Sequence, residues 1–412
     1  MNKKRILIIG LVWPEPGSSA AGTRIIQLAE LFHEAAYEVF FASAALKSEF
    51  SYPLQEIGVQ EKEIRLNDES FNTFVKEMMP DVVLFDRFVS EEQYGWRVQQ
   101  ECPDAMRILD TEDLHFLRYA RQEAVNTGLP LNLYTDTAKR EIASILRCDL
   151  SLIISEVEMD ILQEQFKISE DLLYYLPFLE EGLTLKEVLT WKAFEEREGF
   201  VFIGNFLHEP NWHTLQVLKK SIWPELRKRL PGVVLHIYGA YSSQKVMQYH
   251  NPKENFLVHG RAKDARQAIA AHRILLAPIQ FGAGVKGKFI DAMQTGTPTV
   301  TSSAGAEAMR GKLDWNGAIA DDTEDFIDQS VKLYKDEDLW STARNNGVKI
   351  INQRYKKSTW TILFLEKLKE LSGNLSTHRN AHFVGQILHY HALNSSKYLS
   401  LWIEEKNRQS KY

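Results

Sequence analysis

Short, uniformly apolar runs alternate with amphipathic helical segments along the first half of the chain. This alternation restricts the possible folds more than any other feature of the sequence. The runs are apolar throughout and do not alternate with polar residues, as expected for strands covered on both faces of a parallel sheet. The candidate strands are 5–11, 38–43, 81–86, 106–110, 150–155 and 172–177, and the candidate helices are 22–34, 91–101, 137–147 and 156–166. This order predicts an α/β fold with a doubly wound, Rossmann-like sheet.

The same alternation begins again after an acidic stretch, 179–198, which contains no apolar run and is predicted to connect two domains. The later candidate strands are 199–204, 233–238, 255–259, 273–278 and 297–301, and the helices are 211–230, 264–271, 286–295 and 323–335. We therefore predict Rossmann-like domains at 1–178 and 199–351. Residues 352–412 are predicted to be helices that cross back to the N-terminal domain. Two such domains usually bind ligands in the cleft between them.

Composition and charge narrow the functional classes. The 412-residue chain has 49 basic and 55 acidic residues and a net charge of −6, which disfavours nonspecific nucleic-acid binding. Its two cysteines, Cys102 and Cys148, predict neither a disulfide framework nor a zinc site and suit a reducing cytoplasm. The first apolar run is too short for a signal peptide, and no run of 18 apolar residues predicts a membrane span. The expected location is cytoplasmic, with peripheral contact at the inner face of the membrane left open.

The most informative segment for function is GAGVKGKFIDAMQTGTPTVT, at 282–301, directly behind a candidate strand. Gly282 and Gly284 allow the backbone to approach a ligand closely. Lys286 and Lys288 lie where the next helix is predicted to begin. Free N–H groups at a helix start, together with two ammonium groups, favour a phosphate or diphosphate ligand. The structural alternative is an ordinary glycine turn with solvated lysines.

This segment, GAGVKGKFIDAM followed by GTPTVTSSAGAEAM, resembles the donor-binding core of the family-four glycosyltransferases of the GT-B fold. The other segments that resemble this family are FIGNFLHEPNWHTLQVL (202–218), FLVHGRAKD (256–264), PEPGSSAAGTRIIQLAELF (14–32) and CDLSLIISEVEMDIL (148–162). The resemblance covers most of residues 1–371. It implies a nucleotide-sugar donor bound mainly by the C-terminal domain and a glycan, lipid-linked or protein acceptor bound mainly by the N-terminal domain. It also implies retention of anomeric configuration, without an essential metal or cofactor.

The sequence departs from this family at one functional position. Many members carry two glutamates eight positions apart in the donor region, whereas this chain has Ala283 and Asp291 at the two positions. The resemblance and the helix position together predict that Asp291 accepts hydrogen bonds from the donor ribose. The usual carboxylate contact with the donor sugar is then missing or comes from another residue.

Further candidates for the donor site lie in loops of both domains. Gly22 belongs to the strand-to-helix turn that resembles the family's first turn, and Arg261 follows the strand that would border the nucleobase. Asn205 and His208 follow the first strand of the C-terminal domain, from where they could reach the cleft. Asn211 is well placed to cap the next helix.

Acidic and histidine side chains crowd the loop after the candidate strand 106–110. In the family, the corresponding loop contributes an acidic or histidine group near the reacting sugar, so the resemblance implies that Asp113 and His115 are catalytic. Acidic residues at a helix start are also ordinary caps. The other candidates at this edge of the sheet are Asp86, Arg87, Asp110, Glu112 and Arg118.

Other enzyme classes fit the sequence less well. The segment GSSAAGTR (17–24) begins like a P-loop but lacks its Lys, and no Gly-x-Gly-x-x-Gly follows the first strand. The Asp-x-Asp at 336–338 is predicted to lie on a solvated helix face, so it indicates no metal site. We therefore predict a metal-independent glycosyltransferase. A nucleotide-sugar epimerase of the same fold and a non-catalytic sugar-nucleotide-binding subunit are the alternatives, and the sequence specifies neither sugar, nucleobase nor acceptor.

Overall fold

The computed structural model describes residues 3–409, with side chains described for all of these except 391–396. The strands of the first sheet are β1 (Arg5–Ile9), β2 (Glu38–Ser43), β3 (Gln60–Glu63), β4 (Val82–Asp86), β5 (Met106–Asp110), β6 (Leu150–Ile153) and β7 (Leu173–Tyr175). The strands of the second sheet are β8 (Phe200–Asn205), β9 (Leu235–Ala240), β10 (Phe256–Gly260), β11 (Ile274–Ala277), β12 (Thr299–Thr301) and β13 (Gly317–Ile319). The order is β3-β2-β1-β4-β5-β6-β7 in the first sheet and β10-β9-β8-β11-β12-β13 in the second.

Helices connect the strands of both sheets. Those of the N-terminal half are α1 (Ala20–Glu34), α2 (Ser70–Met78), α3 (Arg87–Glu101), α4 (His115–Thr127), α5 (Asp136–Arg147), α6 (Glu156–Glu164) and α7 (Leu185–Val188). Those that follow are α8 (Glu209–Val217), α9 (Trp223–Arg229), α10 (Gln244–Met247), α11 (Ala265–Ala270), α12 (Gly287–Gln294), α13 (Ser303–Ala306), α14 (Thr323–Lys335) and α15 (Glu337–Ile350). The last three are α16 (Lys357–Gly373), α17 (Leu375–Ala381) and α18 (Phe383–Gln409).

The predicted α/β fold with two doubly wound sheets is confirmed. All strand pairings within the two sheets are parallel. The strand order reverses between β1 and β4 and again between β8 and β11, and ligands of open α/β sheets bind at such points, beyond the carboxyl ends of the strands. Residues 6–9 of β1 are fully buried, as the uniformly apolar pattern predicted.

The sequence reading missed two strands, β3 and β13, and both lie at the edge of a sheet. Strand β3 has the sequence QEKE, so it contains no apolar residue that could have marked it as a strand. An edge strand needs to cover only a small part of the core, and charged residues there also discourage pairing with other chains. The connection 179–198 was predicted to contain no buried strand, and in the structure it contains the short helix α7.

The last helices return to the N-terminal sheet. Phe364, Leu368 and Leu371 of α16 are buried in the same apolar cluster as α1, and the rings of Phe364 and Phe32 lie 6.0 Å apart. The chain passes between the domains at Glu180 and again at Tyr355, and these two segments run side by side. Glu180 N donates to Tyr355 O, and Lys357 N donates to Glu180 O.

None of the helices in the described part of the chain combines the length and the apolarity needed to cross a bilayer.

Candidate active site

The carboxyl ends of the two sheets face each other, and two loops meet at the centre of this cleft. The acidic loop, residues 111–114, joins β5 to α4, and the glycine–lysine loop, residues 278–286, joins β11 to α12. Gly284 has φ +61°, and a Cβ atom at this position would lie 2.8 Å from Cβ of Asp113. A Cβ atom at Gly287 would lie 2.7 Å from Cβ of Ala20. The glycines of this segment therefore allow the two domains to touch, a use that the sequence reading did not anticipate.

A Gly284→Ala substitution is expected to destabilise the protein by about 1–3 kcal/mol, because the left-handed backbone is costly for alanine and the new methyl group meets Asp113. Gly282→Ala is the matched control, since a Cβ atom there has only Lys286 Cε within 4 Å, at 3.8 Å. Chemical denaturation of the two variants and the wild type measures the difference. Equal stability of the two variants would contradict the close domain contact at Gly284.

The two lysines of the predicted phosphate site lie together in the cleft and are partly buried. Lys286 Nζ donates to Gly284 O at 2.9 Å, and Lys288 Nζ donates to Asn211 Oδ1. Among the residues that the structure describes, neither ammonium group forms a salt bridge with a carboxylate within 4 Å. Burial lowers the pKa of Lys286 to about 8, and burial together with Lys286 lowers the pKa of Lys288 to about 7. Two cations with neutral oxygen partners at the start of α12 form a site that favours a dianionic ligand.

Asp291 lies one turn further along α12 and already has a protein partner. Its Oδ1 atom accepts from Arg266 Nε at 2.8 Å, and the same guanidinium donates through Nη2 to Glu180 Oε2 at 2.9 Å. Burial raises the pKa of Asp291, although Arg266 acts in the opposite direction. A ribose that binds Asp291 has to share this carboxylate with Arg266 or displace it.

The acidic loop holds the predicted catalytic residues close together. Asp113 Oδ2 lies 3.0 Å from Arg118 Nε, and Asp113 Oδ1 lies 3.9 Å from His115 Nε2. Burial opposes the charge on Asp113, but Arg118 and His115 keep the pKa of this carboxyl below its usual range. The second ring nitrogen of His115, Nδ1, lies 3.5 Å from Oε1 of Glu141. Asp113 is thus held as a carboxylate at the point where the two domains meet.

Two residues at this edge of the sheet, one of them in the acidic loop, have strained backbones. Arg87, directly after β4, has φ +67°, and Glu112, two residues after β5, has φ +60°. Their side chains approach each other, with Arg87 Nε 3.6 Å from Glu112 Oε2. Burial raises the pKa of Glu112 well above its usual range. Left-handed conformations of non-glycine residues are costly and concentrate at functional sites, which supports both residues as part of the cleft.

The structure assigns other roles to three of the remaining candidates. Asn205 Oδ1 accepts from Leu207 N at 2.9 Å, so this side chain closes its own turn. The prediction that Asn211 caps α8 is wrong: the cap position is His208, and Asn211 lies within the helix, where Nδ2 donates to Asn205 O. Gly22 is buried, and a Cβ atom there would lie 2.6 Å from the backbone of Glu15. Gly22 therefore shapes the loop after β1.

Polar contacts join the domains around the rim of the cleft, and the sequence reading identified only some of their members. His208 Nε2 is paired with Arg118 Nη1, and Arg261 Nη1 donates to Ser18 Oγ at 2.6 Å. The contacts that the sequence gave no signal for are Tyr241 Oη to Glu15 Oε2 at 2.7 Å, Arg121 Nη1 to Glu307 Oε1 at 2.6 Å, and Arg121 Nη1 to Gly282 O at 2.7 Å. Tyr241 and Arg121 belong to none of the segments recognised in the sequence, and only the arrangement of the two domains brings them together with their partners. Within the described residues, no group of three or more His, Cys, Asp and Glu side chains is arranged to hold a metal ion.

Comparisons with known proteins agree with this architecture. Residues 197–336 match the family model for group 1 glycosyl transferases. No curated protein matches the sequence. Sucrose-phosphate synthase from Thermosynechococcus elongatus has a TM-score of 0.68 at 15% identity, with 90% of this chain and 99% of that chain covered.

Two further similar structures were solved with ligands. HepE from Anabaena, in complex with UDP and glucose, has a TM-score of 0.65 at 14% identity, covering 89% of this chain and 100% of that chain. The pneumococcal O-GlcNAc transferase GtfA, in complex with UDP and GlcNAc, has a TM-score of 0.65 at 12% identity, covering 90% of this chain and 99% of that chain. The whole chain therefore has the GT-B fold of these structures, and its residues 197–336 match the group 1 glycosyl transferases.

Proposed function

We propose that this glycosyltransferase takes its sugar from a nucleotide-sugar donor and transfers it to a glycan, lipid-linked or protein acceptor with retention of configuration. In this proposal, residues 199–351 bind the donor, residues 1–178 bind the acceptor, and 179–198 and 352–412 connect the two parts. The observation that carries the proposal is the pair of partly buried lysines at the start of α12, Lys286 and Lys288, which have no carboxylate partner among the residues that the structure describes. That site suits the diphosphate of a nucleotide sugar.

The chemistry follows from the charge that develops as the glycosidic bond to the diphosphate breaks. Lys286, Lys288 and the free N–H groups of α12 would stabilise the negative charge of the leaving nucleoside diphosphate. Closure of the two domains would keep water away from the reacting sugar. Asp113, held ionised by Arg118, and His115 are the proposed catalytic residues beside the sugar.

A panel of nucleoside diphosphates and nucleotide sugars, tested by thermal shift, examines the proposal directly. We choose UDP as the first probe because HepE and GtfA were both solved with it. A ligand at 100 times its dissociation constant adds about 2.7 kcal/mol to stability, which is readily measured. NMR of the product formed from the stabilising donor would then show its anomeric configuration. Absence of stabilisation by every diphosphate tested would overturn the proposal, and an inverted product would overturn retention.

Donor binding is expected to be independent of divalent metal, because the proposed diphosphate site uses lysines and helix N–H groups in place of a cation. The dissociation constant of the preferred nucleoside diphosphate should be the same in EDTA and in magnesium. A loss of tenfold or more on chelation would show that a metal ion takes part.

Replacing Asp291 by asparagine tests the proposed ribose contact. The substitution removes the charge and is expected to weaken nucleotide binding by about 1–2 kcal/mol with little change in unfolding temperature. The control uses the ligand: 2′-deoxy-UDP should bind wild type more weakly than UDP, whereas Asp291→Ala should distinguish the two ligands little. Additive losses in this cycle would exclude a direct contact between Asp291 and the ribose.

A further inference from the structure

One fully buried carboxyl group, that of Glu158 on α6, joins the two loops at the centre of the cleft. Its side chain belongs to the N-terminal domain, and the residue is 1% exposed. The Oε1 atom accepts from Leu114 N at 2.9 Å and from Gly284 N at 2.9 Å. Leu114 ends the acidic loop and Gly284 lies in the glycine–lysine loop, so a single oxygen atom holds the two loops together.

The rest of this carboxyl group has no compensating partner in the described part of the chain. Glu158 Oε2 is buried without a hydrogen bond. The charged groups that face it are Asp113 of the acidic loop, Glu141 of α5 with the neighbouring His115, and Lys286, whose Nζ atom donates to Gly284 O instead. Burial raises the pKa of Glu158 to about 8, and the Asp113 carboxylate adds to the increase. A buried carboxyl in this environment is stable mainly in its neutral form.

We propose that Glu158 is a positioning residue of the transfer reaction, which aligns the glycine–lysine loop with the acidic loop when the domains close. The inference rests on the proposed function for the identity of the ligand that closes the cleft. In this proposal, opening the cleft would take Gly284 N away from Oε1 and let water reach the carboxyl group, and closing it would bury the group again. Closure therefore takes up a proton at neutral pH.

The direction of the pH effect follows from the two pKa values of Glu158. The value is about 8 in the closed protein, against an ordinary value of 4.5 expected in an open cleft. Because the closed-state value is the higher one, protonation favours closure most strongly below about pH 4.5, and this contribution falls as the pH rises and is lost above about pH 8. Between pH 7 and pH 9, the loss of the proton from Glu158 lowers the equilibrium constant for closing about tenfold.

The first experiment uses hydrogen–deuterium exchange on the ligand-free protein. In Glu158→Ala, peptides that cover 278–286 and 111–118 are expected to exchange about tenfold faster than in wild type, because both loop amides lose their acceptor. Glu156→Ala is the matched control on the same helix, since that side chain is half-exposed and paired with Arg354 at the surface. Unchanged exchange in both loops of the Glu158 variant would overturn the inference, and unchanged exchange elsewhere reports an intact fold.

The second experiment measures UDP affinity by calorimetry at pH 7 and pH 9 for wild type and Glu158→Gln. Glutamine keeps the acceptor oxygen and stays neutral. The affinity of Glu158→Gln for UDP should therefore fall about tenfold less between pH 7 and pH 9 than the affinity of the wild type. Lys286 and Lys288 also lose charge in this range in both proteins, so only the difference between the two proteins is attributed to Glu158 and to its charge interaction with Lys286. Equal losses in the two proteins would overturn the proton linkage. Failure of UDP and of every other nucleoside diphosphate in the panel to bind, with faster loop exchange in Glu158→Ala, would contradict the proposed function and still support the positioning role.

Discussion

Lys288→Ala is expected to weaken UDP binding by about ten- to a hundredfold and to leave the fold intact. The ammonium group has one neutral partner, Asn211 Oδ1, in the described structure and is therefore available to a phosphate oxygen. A charge-assisted hydrogen bond is worth about 1.5–3 kcal/mol, which sets the size of the loss. Because burial beside Lys286 lowers the pKa of Lys288 to about 7, the wild type should itself lose affinity as the pH rises above 7.

Calorimetric titration with UDP measures this loss, and Lys312→Ala supplies the control. Lys312 is an exposed lysine of the same domain that lies outside the glycine–lysine loop, so its removal reports the effect of losing a lysine away from the proposed site. Lys286→Ala should show a loss in the same direction as Lys288→Ala. If both cleft variants bind UDP as the control does, the diphosphate site lies elsewhere in the molecule.

Arg24→Met is expected to reduce the free energy of unfolding by about 3–5 kcal/mol, since it removes one partner of a buried ion pair. Arg24 is 1% exposed, and its Nη2 atom lies 2.7 Å from Asp110 Oδ1. The same guanidinium donates to Leu176 O at 2.9 Å, so it also links the residue directly after β7 to the end of β5. Methionine fills similar space but leaves the Asp110 carboxylate buried without its partner.

Urea denaturation of three variants and the wild type tests this effect. Arg24→Met with Asp110→Leu removes both charges, and this double variant should recover most of the stability that the single variant loses. Lys139→Met is the surface control, because Lys139 pairs with Asp136 in an exposed contact, and it should unfold at the wild-type urea concentration. A loss below about 1 kcal/mol in Arg24→Met would show that water reaches Asp110 in the native protein.

The sequence was sufficient to predict the architecture because buried parallel strands must be apolar on both faces. Residues 6–9 and 82–85 follow that rule and were recognised, whereas β3, with its sequence QEKE, lies at an edge where the rule does not apply. The glycine–lysine loop was recognised for a similar reason. A phosphate site built from a helix start needs small residues and cations that are close together in the sequence, so its pattern is visible without a structure.

The contacts across the cleft follow a different rule, because they join residues that are far apart in the chain. Glu158 and Gly284 are 126 positions apart, and Arg121 and Glu307 are 186 apart, so no local pattern predicts either pair. The left-handed backbones of Arg87 and Glu112 likewise depend on the packing around two neighbouring strand ends. Local sequence patterns therefore determine the sheets and mark the glycine–lysine loop. The closeness of the two domains, and with it the partners and protonation of the buried carboxyl groups, depends on the folded chain as a whole.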